Sequence, residues 1–252
     1  MNLQLFSICI ETKQFQKIPL NERVILTQLG CFVNDLNTLH KIICFLGNPQ
    51  QDELNQQLSN DQNLSLLIMA AGKAFEFIRT IKKACRNDIS LKDRVEEYFS
   101  VEDREILSRI LSKDTKGSTL KKIRNKLAAH HDWDDTQKFL SDFELDEYKF
   151  FLGSNWGLAR IKMMDVIRGF YITKVYGAKD FDCFEECQKA MELFHDELLD
   201  TLGDIYQCFD RLFRITLEIH HCEYSMIEIK DFKYGLFEDF TVPFFLVASD
   251  KK

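Results

Sequence analysis

The residues best suited to chemistry lie in one short segment, from Arg124 to His131. It contains a guanidinium at Arg124, an amide at Asn125 and imidazoles at His130 and His131. A guanidinium can bind a phosphoryl group through two parallel hydrogen bonds, and an imidazole can move a proton near neutral pH. Together these groups suit the cleavage of a phosphodiester without a metal ion.

The same segment concentrates positive charge in a chain that is acidic as a whole. The formal net charge is -7, from 40 Asp and Glu residues against 33 Lys and Arg residues, which argues against a surface coated in nucleic acid. Lys121, Lys122 and Lys126 nevertheless flank Arg124. We therefore expect these lysines to attract a phosphate locally, so that any contact with nucleic acid is confined to this part of the surface.

Helical periodicity places the segment on a fifth helix, which we expect to start at Ser118 or Thr119 and to run to about residue 130. Its apolar residues recur once per turn and should face the core: Leu120, Ile123 and Leu127. On an ideal α-helix, Arg124 and His131 are seven residues apart and differ by about 20° around the axis. This geometry puts both at the border of the buried face, where a bundle presents groups to a groove or a partner subunit.

The string that runs from Arg124-Asn125 through Lys126 to His130 resembles the signature of the HEPN superfamily. Members of this superfamily are helical bundles in which an Arg, often followed by Asn, precedes a His by four to six intervening residues. The string is similar to versions found in bacterial abortive-infection and toxin members. On this likeness His130 is the family position, whereas ideal helix geometry favours His131, and the sequence leaves both open.

The resemblance implies a metal-independent endoribonuclease that works without a cofactor. In such members the Arg and His of two subunits meet at a dimer cleft, where the 2′-hydroxyl of RNA attacks the adjacent phosphate and leaves a 2′,3′-cyclic end. If the roles of the motif residues are carried over to this chain, His130 would act as general base or acid and Arg124 would stabilise the charge of the phosphorane. Asn125 would orient the phosphate or the imidazole. The likeness also implies RNA as substrate, a homodimer, and an antitoxin protein or a phage-defence system as the setting.

Two other interpretations of the segment stay open. Some members of the superfamily keep the helical scaffold without cleaving RNA, so the chain could be a non-catalytic module that binds nucleotides or proteins. The segment could also be an ordinary helix C-terminus, where cationic side chains interact favourably with the helix dipole and His caps open carbonyls.

A metal-dependent interpretation rests on two Glu-x-x-His pairs, Glu192 with His195 and Glu218 with His221. This spacing puts two metal ligands on one helical face, as in di-iron bundles. If both pairs lie on one continuous helix, however, their offset of about 26 residues separates them by about 39 Å. A shared site would require the chain to reverse between them, and no Gly-Pro or Asn-Gly signal indicates such a turn.

The composition favours helices as the elements that position these groups. There are 10 Gly and 3 Pro residues, whereas sandwiches and barrels need many turn residues. The 22 Phe residues support a substantial core. The sequence therefore predicts a mainly α, up-and-down multi-helix bundle, and the resemblance of the Arg124–His130 string implies that this bundle is HEPN-like.

Apolar residues at three- and four-residue spacing predict where the helices lie. We expect helices over 21–46, 63–85, 90–99, 101–111, 118–130, 134–151, 159–176 and 181–221, the last as one helix or two. Residues 226–229 and 240–247 are rich in β-branched and aromatic residues and predict a small C-terminal β-hairpin. We therefore expect a helical bundle over 1–222, with a HEPN-like core of roughly 20–160, and a β appendage over 223–252.

The cysteines and the N-terminus bear on the cellular compartment. The eight Cys residues include no Cys-x-x-Cys pair, and we expect them to be buried thiols in a reducing compartment. Residues 1–11 lack the basic region of a signal peptide, and no stretch reaches the roughly 18 uncharged residues that span a bilayer. These features predict a cytoplasmic protein without a membrane partner.

Overall fold

Helices make up most of the chain that the structure describes. A computed structural model describes residues 6–46, 53–87, 89–115, 117–128, 137, 150–151, 160–181 and 183–228. The α-helices in these ranges are α1 (Thr12–Phe15), α2 (Leu20–Leu46), α3 (Glu53–Asn87), α4 (Ile89–Tyr98), α5 (Val101–Ser112), α6 (Thr119–Ile123), α7 (Lys162–Val175) and α8 (Phe184–Ile219). A π-helical segment, Arg124–Ala128, follows α6 directly. The predicted mainly α fold is confirmed.

The long helices follow the apolar periodicity of the sequence closely. α2, α4 and α5 begin and end within one or two residues of the predicted bounds, and the 181–221 pattern forms one helix, α8. Ser100 caps α5 and shares a reciprocal capping box with Asp103, which satisfies two backbone N–H groups of the first turn. The bounds of α3 differ, because this helix begins at Glu53 rather than at residue 63.

The apolar face of α3 lies at the centre of the bundle. Three alanines on this face, Ala70, Ala71 and Ala74, are completely buried, and such small side chains let neighbouring helices approach closely. α2 and α8 pack along α3. At Gly30 of α2 an added Cβ would lie 3.3 Å from the ring of Phe209 in α8, so this glycine permits the close crossing of α2 and α8.

Two short antiparallel ladders accompany the helices. β1 (Phe6–Ile10) pairs with β4 (Tyr224–Glu228), in a register that sets Phe6 opposite Glu228 and Ile10 opposite Tyr224. A C-terminal strand was expected at residues 226–229. Its partner is at the opposite end of the chain, while the expected second strand, 240–247, lies outside the described residues.

The second ladder corrects two predicted helices. β2 (Phe150–Phe151) pairs with β3 (Arg160–Ile161), so the helices expected over 134–151 and 159–176 do not include these residues. Phenylalanine favours strands, and an antiparallel partner overrides a helical pattern at the end of a segment. α7 consequently begins at Lys162.

The cysteines are less buried than the sequence predicts. All eight lie in the described part of the chain and none forms a disulfide, but Cys9, Cys31 and Cys44 are exposed. Only Cys208 and Cys222 are buried. The expectation of buried thiols is therefore wrong for the three exposed cysteines, because Cys31 and Cys44 lie on the solvent side of α2 and Cys9 lies in the short strand β1.

Candidate functional site

Arg124 lies where α6 changes into the π-helical segment, and its guanidinium is held on three sides. Its Nη2 atom donates to Oε1 of Glu76 at 2.5 Å, and its Nη1 atom donates to Oδ1 of Asn125 at 3.1 Å. The guanidinium carbon lies 5.7 Å from the centre of the Phe75 ring, within the range of a cation–π contact. The side chain is 22% exposed, at the border of the buried face as expected.

This arrangement leaves part of the Arg124 guanidinium available to a ligand. A guanidinium has five N–H groups in a planar fork. Two of them donate to Glu76 and Asn125, and the others have no hydrogen-bond partner among the described residues. Because these contacts fix the orientation of the fork, its remaining N–H groups can bind a phosphoryl oxygen at little further cost in side-chain entropy.

The local backbone explains why Arg124 and Asn125 lie together on this edge. Leu120 and Ile123 are completely buried and anchor α6 in the core, and Leu127 packs against that core from the π-helical segment. In a π-helix each N–H bonds to a carbonyl five residues earlier, and such turns are frequent at functional sites. Arg124–Ala128 is therefore wound differently from α6, although the sequence predicted one uniform α-helix.

The two candidate histidines, His130 and His131, lie outside the described residues. The argument that favoured His131 assumed an ideal α-helix after Arg124, and the π-helical hydrogen bonding of Arg124–Ala128 removes that assumption. Only the Arg124 and Asn125 part of the predicted catalytic group can therefore be placed.

The three lysines expected to bind phosphate have different surroundings. Lys121 is partly buried and its ammonium donates to Oδ1 of Asp114 at 2.8 Å. Lys122 is exposed, and Lys126 is partly exposed. Lys121 is thus already paired with a carboxylate, so a phosphate would compete with Asp114 for it.

Asp114 holds α6 against α3 through two lysines. Its Oδ2 atom accepts from Lys82 of α3 at 2.6 Å, and its Oδ1 atom accepts from Lys121 of α6. Burial alone would raise the pKa of this carboxyl, but the hydrogen bonds from Lys121 and Lys82 outweigh burial and hold its pKa below the usual value. The carboxylate is therefore ionised and paired at neutral pH.

A second carboxylate, Glu197 of α8, fixes the first residue of α6. It accepts hydrogen bonds from the Thr119 hydroxyl, from Lys113 at 2.7 Å and from the Tyr176 hydroxyl at 2.6 Å. Burial would raise the pKa of Glu197, yet these three donors lower it overall. Burial and the neighbouring Glu197 raise the pKa of Tyr176, which therefore stays protonated and donates.

Sequence reasoning missed Glu76, Phe75, Asp114 and Glu197, because each meets its partner across long sequence distances. One signal for Glu76 was present: it is a charged residue between the buried side chains of Phe75 and Phe77. A charge inside an apolar run indicates a position at the edge of the core, where a buried or partly buried partner is needed.

The metal-dependent interpretation is not supported by the geometry of α8. This helix is continuous from Phe184 to Ile219, so Glu192 and His195 lie about seven turns, or about 39 Å, from Glu218 and His221. The two Glu-x-x-His pairs cannot share an ion. Within the described residues, no group of three or more His, Cys, Asp or Glu side chains is arranged to hold a metal ion.

Comparison of the chain with protein-family models, with curated proteins and with solved structures gives no match. In the part of the chain that the structure describes, no helix has the length and apolar character needed to cross a bilayer.

Proposed function

We propose that this protein is a metal-independent endoribonuclease of the HEPN type, acting as a cytoplasmic homodimer in a toxin–antitoxin or phage-defence system. The observation that supports the proposal is the guanidinium of Arg124, which donates to Glu76 and Asn125 and whose other N–H groups have no hydrogen-bond partner among the described residues. Arg124 and Asn125 belong to the same string that resembles the HEPN signature. An oriented guanidinium at a partly exposed edge is what a phosphoryl group requires.

In the proposed reaction, Arg124 binds the non-bridging oxygens of the scissile phosphate. His130 or His131 takes the proton from the 2′-hydroxyl, and the 2′-oxygen attacks phosphorus. The bond from phosphorus to the 5′-oxygen breaks, the protonated histidine gives its proton to that oxygen, and the products are a 2′,3′-cyclic phosphate and a 5′-hydroxyl. Arg124 stabilises the extra negative charge on the phosphorane, and Asn125 keeps the guanidinium in place.

The proposed dimer would bring two such edges together. In such a dimer, the Arg124 residues of the two subunits would bind the RNA backbone from both sides of the scissile bond. An exposed Lys122 next to the site adds positive charge for the RNA backbone. An antitoxin that covers this edge would block access to Arg124.

Cleavage of RNA in the presence of EDTA tests the proposal. We expect the wild type to cleave single-stranded RNA and to leave a 2′,3′-cyclic phosphate. Arg124→Ala should lower the rate about 100-fold or more, as removal of one charge-stabilising donor typically does, and either His130→Ala or His131→Ala should do the same.

Arg86→Ala is the matched control for the cleavage assay. Arg86 is an exposed arginine in the last turn of α3, and its loss should leave the rate within about twofold of wild type. A wild type that leaves RNA intact, or an Arg124→Ala variant as active as the control, would contradict the proposal.

A second candidate, a non-catalytic interaction module, is favoured by a groove that α1 and α2 line together with Thr80 of α3. Its apolar lining residues are Phe15, Leu20, Val24 and Phe32, and Arg23, Thr27, Gln28 and Cys31 also line it. Leu20 is 67% exposed, and grouped exposed apolar residues are typical of protein contacts. RNA binding or protein binding by a wild type that never cleaves RNA would favour this candidate.

A further inference from the structure

A second guanidinium, that of Arg79 on α3, lies beside Arg124 on the partly exposed surface around Glu76. The Oε1 atom of Glu76 lies 2.5 Å from Nη2 of Arg124 and 3.8 Å from Nη1 of Arg79. Two arginines from different elements therefore converge on one carboxylate oxygen. Their positive charges exceed the single negative charge of Glu76, so this cluster has an attraction for one more anion.

The two arginines are held with different strength. Arg124 makes a short, charge-assisted hydrogen bond and is 22% exposed. Arg79 is 54% exposed, and its 3.8 Å separation from Glu76 exceeds the length of a hydrogen bond. Arg79 is attracted by charge alone, and an exposed ion pair of this kind contributes about 0–1 kcal/mol. It can consequently turn away from Glu76 toward another anion at low cost.

We infer that Arg79 and Arg124 together form a binding site for a phosphate group, with Arg124 as the fixed donor and Arg79 as the mobile one. A carboxylate has two oxygens, whereas a phosphate offers several acceptors in a tetrahedral arrangement, so it can accept from two guanidiniums at once. On binding, Arg79 leaves Glu76 for the phosphate, while Arg124 keeps its bond to Glu76 and donates to the phosphate through its remaining N–H groups. Glu76 thereby sets the distance between the two guanidiniums.

For the proposed ribonuclease, this site gives Arg79 a role in positioning the substrate. Arg79 binds a non-bridging oxygen of the same phosphate that Arg124 contacts. This role rests on the proposed function, whereas binding of a free phosphate by the two arginines does not. The neighbouring Lys121 is engaged by Asp114, which makes Arg79 the better placed cation for this contact.

Titration of the full chain with inorganic phosphate, followed by NMR of the arginine side-chain Nε–Hε signals, tests the inference. Sodium chloride at equal ionic strength is the reference, since it screens charge without offering a tetrahedral acceptor. We expect phosphate to shift the signals of Arg79 and Arg124 along one common binding curve. Arg79→Lys should weaken binding about five- to tenfold, because lysine keeps the charge but lacks the planar fork.

Arg86→Lys provides the control for this substitution. Arg86 lies seven residues after Arg79 on the same face of α3, about 10 Å away along the axis, and its substitution should change the phosphate affinity less than twofold. The inference is overturned if phosphate shifts the Arg124 signal alone, if it shifts neither signal, or if Arg79→Lys and Arg86→Lys bind phosphate equally well.

The RNA cleavage assay separates this inference from the proposed function. Phosphate binding by both arginines in a protein that leaves RNA intact would support the phosphate site and contradict the ribonuclease. Cleavage that depends on Arg124 but is unchanged in Arg79→Lys would support the ribonuclease and contradict the role of Arg79 in positioning the substrate. If the protein cleaves RNA and both arginines bind phosphate, we expect Arg79→Lys to raise KM about fivefold with little change in kcat. The reason is that Arg79 contacts the bound substrate as well as the transition state.

Discussion

The beginning of α6 and the π-helical segment that follows it are only a few residues apart, yet the polar groups at these two places differ in how many of their hydrogen-bonding positions are used. At the beginning, Glu197 and Asp114 each accept hydrogen bonds from two or three side chains that lie on different parts of the chain. At the π-helical segment, the Arg124 guanidinium uses two of its N–H groups and lies at a partly exposed edge. The beginning of α6 is therefore anchored by two carboxylates, whereas the π-helical segment presents the guanidinium of Arg124 as a donor.

The difference separates groups that hold the fold from groups available to a ligand. Partly buried carboxylates whose two oxygens both accept from neighbouring donors contribute stability, and binding a further ligand would disrupt these bonds. A charged group with unused donors adds less stability but keeps its capacity to bind. The comparison therefore predicts that substitutions at the anchored end change stability, while substitutions at Arg124 change ligand binding.

The largest effect on stability should come from Glu197→Ala. This change leaves Lys113, Thr119 and Tyr176 without their shared acceptor in a partly buried place, and we expect a loss of about 2–4 kcal/mol in the free energy of unfolding. Urea denaturation followed by circular dichroism measures it. Glu192→Ala on the same helix, where the side chain is exposed, should change this free energy by less than about 0.5 kcal/mol.

Low pH should lower the free energy of unfolding by less than Glu197→Ala does, because protonation removes the charge of the carboxylate but leaves the side chain in place. The pKa values of Glu197 and Asp114 are lowered from ordinary values of 4.5 and 3.8. A lowered pKa in the folded state means that the stabilisation is complete above the ordinary value and is lost as pH falls through the folded value. The free energy of unfolding, measured from pH 7 to pH 3, should therefore decrease once the pH is below about 4.5. It should decrease less steeply in Glu197→Gln.

Asp114→Asn should lower the free energy of unfolding by a still smaller amount, about 1–2 kcal/mol. Its two partners are lysines, whose long side chains can carry the ammonium to water when the carboxylate is lost. Thermal denaturation of this variant beside Asp93→Asn, a change on another helix, α4, measures the difference. Equal melting temperatures for the two variants would mean that the Asp114 pair does not anchor α6.

The smallest effect on stability is expected for Arg124→Gln, within about 1 kcal/mol. The ion pair with Glu76 is partly exposed, and glutamine can still donate to that carboxylate. Chemical denaturation of this variant is the sharpest test of the comparison. A loss as large as that of Glu197→Ala would make Arg124 a structural residue and remove the contrast between the two ends.

Much of the fold could be predicted from periodicity, and the exceptions have physical causes. The bounds of α2, α4 and α5 follow from apolar residues that repeat with the helical period. The first ten residues of α3 are largely polar and carry no such signal, although Gln, Glu and Leu are good helix formers. The pairing of β1 with β4 joins residues more than 200 positions apart, and no local pattern specifies such a partner.

The candidate site was only half predictable. Arg124 and Asn125 were found because they are neighbours in a recognisable string. Their partner Glu76 lies 48 residues earlier, and a contact at that separation depends on how α3 and α6 pack. The π-helical winding of Arg124–Ala128 was also missed, since helical propensities do not distinguish α-helical from π-helical turns.

The pairing of β1 with β4 has a consequence for how the protein is made. Phe6 leaves the ribosome before its partner Glu228, which is synthesised more than 200 residues later. β1 consequently has an open edge until β4 has been synthesised, and an open strand edge favours pairing with other chains. A nascent chain that stops before Tyr224 keeps this edge, so we expect such products to aggregate more readily than chains that include β4.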